Sequence, residues 1–81
     1  MEQLRAYLNA MQRATQREFA ARCGTSLQYL RNALSRQQKL GIELCIEIER
    51  QSDRRVRCED LRPDVDWVYL SSRRADVRRK A

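Results

Sequence analysis

The sequence predicts an all-α domain, a compact bundle of four to five helices, and three observations carry that prediction. Apolar residues return at i, i+3, i+4 and i+7 from the first turn onward. The helix breakers stand between the periodic stretches: two glycines, Gly24 and Gly41, and one proline, Pro63. Within Gln16–Ser35, a small residue, a glycine and a leucine occupy the offsets at which two helices cross steeply through a short turn. At 81 residues, 42% hydrophobic and 35% charged, the chain is one small, very soluble domain. It is close to the size at which a single core only just suffices, so dimerisation would help stability.

The elements follow in order. Leu4, Tyr7, Leu8 and Met11 form one apolar stripe, so residues 2–12 read as an amphipathic helix. Thr15-Gln-Arg-Glu18 is a capping-box signature, in which the Thr15 hydroxyl and the Glu18 carboxylate satisfy each other's backbone N–H groups. A second helix then runs to Cys23 and buries Phe19, Ala20 and Cys23. Ala20 is small enough for a close crossing, and Gly24 can take the positive φ that ends the helix. Thr25 or Ser26 caps a third helix running to about Ser35. At roughly 100° per residue, Leu27, Leu30, Ala33 and Leu34 fall on one side, and Gln28, Arg31, Asn32 and Ser35 on the other.

Residues 36–41 make a basic connector. A fourth helix, about residues 42–52, has a wide apolar arc of Ile42, Leu44, Cys45, Ile46 and Ile48. Such an arc belongs in the centre of a core or against a partner. Val56 is expected in a short extended segment and Glu59–Leu61 in a helical turn before Pro63. Trp67, Val68 and Leu70 supply a late apolar patch. Residues 71–81 have little to bury and read as a mobile basic tail. The chain thus divides into a domain over residues 1–70 and a tail over 71–81.

The net charge of +6 is unevenly spread. Residues 1–42 carry seven basic and two acidic groups, residues 43–70 five and eight, and residues 71–81 five and one. Positive charge therefore gathers around the helical pair and on the tail, the pattern of a polyanion binder. No apolar run approaches a membrane span and no signal-peptide core is present, so a cytoplasmic location is expected. The three cysteines, Cys23, Cys45 and Cys58, are widely spaced; Cys23 and Cys45 read as small buried hydrophobes. Without histidine or Cys-x-x-Cys, no zinc site is expected, and no other cofactor. An enzyme is not expected either. There is no nucleophile–base pairing and no glycine-rich phosphate loop, and Glu43, Glu47 and Glu49 read as a solvated helix surface. RNA binding would call for exposed aromatics, and most of the few present are needed for the core.

Gln16–Ser35 therefore reads as a helix-turn-helix unit: capping box, glycine turn, polar outward face and local positive charge occur together. The segment resembles the Cro/repressor type of helix-turn-helix, in the lambda-repressor-like class, where a glutamine often opens the unit as Gln16 does. More narrowly, AARCGTSLQYLRNALSRQQKLGIELCIEIER followed by VRCEDLRPDVDW resembles the YdaS-like family of small prophage regulators, sometimes labelled antitoxins. The resemblance covers about residues 1 to 68; the basic tail departs from it.

The resemblance implies a five-helix double-stranded DNA-binding transcriptional regulator. It would act as a homodimer on an inverted-repeat operator and be found at the bacterial nucleoid when bound. The antitoxin label implies an alternative, a protein-binding module with a toxin or a second regulator as partner. By position in the motif, Ser26, Leu27, Gln28, Arg31 and Asn32 would read base edges. Arg31 suits guanine, and Gln28 or Asn32 suits adenine. Leu27 stays open, because the motif puts it at the groove and the periodicity puts it toward the core. Gln16, expected at a helix N-terminus, would meet a phosphate through backbone N–H groups. Arg17, Tyr29, Arg36, Gln38 and Lys39 are further candidates for phosphate contact. The dimer is expected to form through the fourth helix and residues 56–70.

Overall fold

A computed structural model describes residues 1–70. The tail expected over 71–81 lies outside the described residues. Among these, the chain forms five helices: α1 (Glu2–Asn9), α2 (Arg13–Arg22), α3 (Leu27–Arg36), α4 (Ile42–Gln51) and α5 (Cys58–Leu61). Residues 67–70 are also helical. No strand is present among the described residues, so the expected all-α bundle holds.

The helices close on one apolar core. Leu4 and Leu8 of α1, Phe19 and Ala20 of α2, Leu30, Ala33 and Leu34 of α3, Cys45 and Ile48 of α4, and Cys58 and Leu61 of α5 are all buried in it. α2 packs on α3 and on α4, while α5 packs on α1 and α4. Tyr7 meets Phe19 edge to face, ring centroids 5.2 Å apart, and locks α1 to α2. Cys23, Cys45 and Cys58 are buried free thiols, as the hydrophobic reading of the first two required.

Three boundaries differ from expectation. α1 stops at Asn9 rather than near residue 12, because the Met11 N–H turns back to the Leu8 carbonyl (3.0 Å) and closes the turn. Met11 keeps its apolar contact from that turn, packed against the core. α2 begins at Arg13, with extended Gln12 before it, so Thr15 lies inside the first helical turn and no capping box forms. Glu18 instead faces Arg22 one turn on, at 3.7 Å. The early start places Gln16, Phe19, Ala20 and Cys23 on a single inward stripe, and all four are buried.

Val56 is the third. It is fully buried, but in a bend rather than an extended segment. The chain reverses there through Asp53 and Arg54, both at positive φ (56° and 64°). Buried Ser52 holds the bend, its Oγ accepting from the Val56 N–H at 3.1 Å.

The wide arc of α4 is divided by the fold. Cys45 and Ile48 have no exposed surface, Leu44 and Ile46 are half-buried, and Ile42 is exposed. Glu49 is no mere solvated carboxylate: its Oε1 accepts from the Cys58 N–H (2.9 Å) and so starts α5. After Pro63 the indole N–H of Trp67 donates to the Arg62 carbonyl (2.9 Å), seating the ring against the core.

Candidate nucleic-acid interface

The turn between α2 and α3 is short because Gly24 sits at φ 81°. A Cβ there would meet nothing within 4 Å, so the position needs glycine for its backbone angle rather than for space. The Thr25 N–H turns back to the Ala20 carbonyl (3.0 Å), which closes the end of α2. Ser26 then starts α3, its hydroxyl oxygen accepting from the Tyr29 N–H at 3.1 Å. Of the two candidate caps, Ser26 is the one used.

α3 is held by one face and free on the other. Leu30, Ala33 and Leu34 are buried, while Gln28, Arg31, Asn32 and Ser35 are exposed. The helix contains no acidic residue. Gln28 Nε2 donates to Asn32 Oδ1 (3.1 Å), so these two side chains form one polar unit along the helix. Leu27 is half-buried and packs against the core, yet it also borders the open cleft beside Gln28. Leu27 thus meets the core on one side and open space on the other. Arg13 and Arg17 of α2 line this cleft with Thr25, Ser26 and Arg31. Arg13 belongs to no motif in the sequence; its mark is that it opens the helix preceding the turn.

Arg31 reaches back across the helix pair, its Nη2 donating to Gln16 Oε1 at 3.0 Å. Gln16 is the main correction to the expected site. It is not at a helix N-terminus, because its own N–H is bonded to the Gln12 carbonyl (2.9 Å), and its side chain is only 6% exposed. The amide donates to the carbonyls of Leu8 (2.6 Å) and Met11 (3.1 Å). The uncommitted N–H groups at the start of α2 belong to the residues before it.

The remaining expected phosphate contacts fall in different places. Arg17, Arg36 and Gln38 are exposed. Lys39 is exposed too, but pairs with Asp64 at 3.3 Å. Tyr29 lies on the opposite flank of α3, in a groove shared with Glu43 and Glu47, where two carboxylates oppose an approaching phosphate. A residue the sequence did not mark, Arg62, ties the connector to the end of the domain. Its Nη1 donates to the Leu40 carbonyl (2.8 Å), and its Nε and Nη2 grip Asp64 at 3.0 and 2.9 Å. Those hydrogen bonds hold the Asp64 carboxyl well below the usual carboxylate range.

An all-α bundle whose second and third helices are joined by a glycine turn, with the third helix buried on one face and polar on the other, defines a small helix-turn-helix domain. The family described as "Bacterial toxin YdaS" matches residues 12–70, well over half of the chain, and the chain belongs to it. A curated relative is "Putative transcriptional regulator YdaS" of Escherichia coli (strain K12), 52% identical over 33 residues. That match takes in 41% of this chain and 34% of the relative, about a third of the relative's length. No solved structure matches the chain. The two descriptions name different activities, a toxin and a regulator of transcription.

Proposed function

We propose that the chain is a sequence-specific double-stranded DNA-binding regulator of transcription, with α3 as its reading helix. The observation that carries this reading is the free face of α3. It presents Gln28, Arg31 and Asn32 side by side, with no acidic residue in the helix and two further arginines, Arg13 and Arg17, beside it. Such a face matches the donor and acceptor pattern of a major groove, and its charge matches the flanking phosphates. Arg31, Gln28 and Asn32 read bases, joined by Ser26 and Leu27 at the start of the helix. Arg17, Arg36, Gln38 and Lys39 follow the backbone, Lys39 exchanging Asp64 for a phosphate. The description of the curated relative as a transcriptional regulator supports the same reading.

One reading helix covers little DNA, so two copies act on half-sites about one helical turn apart, in an inverted repeat. Ile42, Ile46, Trp67 and Leu70 line one groove, and Val68 and Tyr69 are exposed beside them; this surface serves the dimer. The basic side chains of residues 71–81 add to the counterion release on DNA binding. The protein works in the bacterial cytoplasm, at the nucleoid, and without catalysis.

The same groove and the family's toxin description favour one second reading, a protein-binding partner in a toxin–antitoxin pair. Binding to duplex DNA by the purified chain alone separates the two. Under the first reading, Arg31→Ala lowers affinity for the preferred site by about 1–3 kcal/mol and relaxes preference at one base pair per half-site. Full affinity with an unchanged site profile would remove Arg31 as a reader.

A further inference from the structure

We propose that Gln16 is the positioning residue for Arg31: a buried amide that sets the guanidinium in place before any DNA arrives. This inference rests on the DNA-binding reading. The side chain of Gln16 is almost fully enclosed, so its polar atoms must find protein partners. Nε2 lies 2.6 Å from the Leu8 carbonyl oxygen and 3.1 Å from that of Met11. Both are acceptors only, so the amide cannot be turned over without setting oxygen against oxygen. Oε1 must therefore face the other way, toward α3, and there it accepts from Arg31 Nη2 at 3.0 Å.

An arginine fork carries five N–H donors. One contact to Gln16 leaves the rest of the fork, on an exposed side chain, available for the paired acceptors of a guanine edge. A free arginine loses much rotamer freedom when it docks; here part of that ordering is already present in the unbound protein. The two carbonyls that hold the amide belong to the end of α1 and to the α1–α2 turn. The seat of Arg31 is thus set by how α1 meets α2, and not by α3 alone.

Gln16→Met keeps the length of the side chain and removes both its donor and its acceptor. Wild type, Gln16→Met, Arg31→Ala and the double variant are compared on a panel of duplexes covering every base at each position of the preferred site. The expected result is a loss of discrimination in Gln16→Met, on the order of 3- to 10-fold, at the same base pair that Arg31→Ala relaxes. The double variant should be no worse there than Arg31→Ala alone. A uniform loss across all positions, additive with Arg31→Ala, would overturn the proposal and leave Gln16 as a tie between helices.

A second measurement needs neither DNA nor a variant. In nitrogen NMR of the free wild-type protein, rotation of the Arg31 guanidinium should be slower than that of exposed Arg13. Equal rates would overturn the proposal even with DNA binding intact. Slow rotation together with no discrimination among duplexes would keep the Gln16–Arg31 seat and remove the DNA-reading role assigned to it.

Discussion

Arg31 shows both what a sequence can reveal about a single side chain and what it cannot. Its place on the polar side of α3 follows from counting residues against Leu30. Its bond to Gln16 does not, because that depends on which way a buried amide faces across two helices. Gln16 itself was legible by another route. It stands three, four and seven residues before Phe19, Ala20 and Cys23, the inward stripe of α2. The capping-box pattern at Thr15 hides this, because it sets the helix start three residues late and leaves Gln16 in the first turn rather than on the stripe.

The cysteines give a prediction at the same scale. Burial pushes the thiols of Cys23 and Cys45 up to about 11, with Glu47 adding to the first and Asp64 to the second. Burial and the neighbouring Glu49 push Cys58 up to about 12. All three should stay protonated and unreactive at neutral pH. An aromatic disulfide reagent should label the native protein only as fast as it opens, and label all three at once in denaturant. Rapid stoichiometric labelling of the native state would mean that the core is looser than described.

At the scale of elements, helix identity was legible and helix ends were not. The apolar periodicity places α1 to α4, and of the wide arc of α4 the core takes Cys45 and Ile48 and leaves Ile42 exposed. Bonds that local pattern does not reveal meet two of those ends: the Gln16 amide on the carbonyls around the end of α1, and Glu49 on the first N–H of α5. Two turns yield substitutions of opposite sign. Gly24→Ala should destabilise by about 1–2 kcal/mol, because an L side chain is placed at φ 81°. Arg54→Gly should stabilise by roughly 0.5–1 kcal/mol, relief of a positive φ less the extra chain entropy of glycine. Midpoints of urea unfolding measure both. A neutral Gly24→Ala would mean that the α2–α3 turn can relax, and with it the pose of the reading helix.

Over the whole molecule, the division of charge was legible from composition alone, whereas the clamp that joins the two halves was not. Arg62 reaches the connector at Leu40 and the loop at Asp64, with Lys39 approaching the same carboxylate. Asp64 has its pKa depressed in the folded state, chiefly by the Arg62 hydrogen bonds. Its contribution to stability is therefore complete above the unfolded carboxylate value, about 3.9, and is lost as pH falls below that toward the folded value. Melting temperatures of wild type and Asp64→Asn should differ by a constant amount from about pH 5 to 8 and converge in stronger acid. A gap that persists at low pH would show that the carboxylate's charge is not what matters there.

The central claim is that α3 reads duplex DNA, and selection of bound sites from a random duplex library by the purified chain tests it most directly. The expected outcome is enrichment of a two-fold symmetric site with half-sites about one helical turn apart, with Arg31→Ala relaxing the same base pair in each half. Failure of the wild-type chain to enrich any sequence at low salt, under conditions where it is folded, would contradict the claim and turn attention to a protein partner.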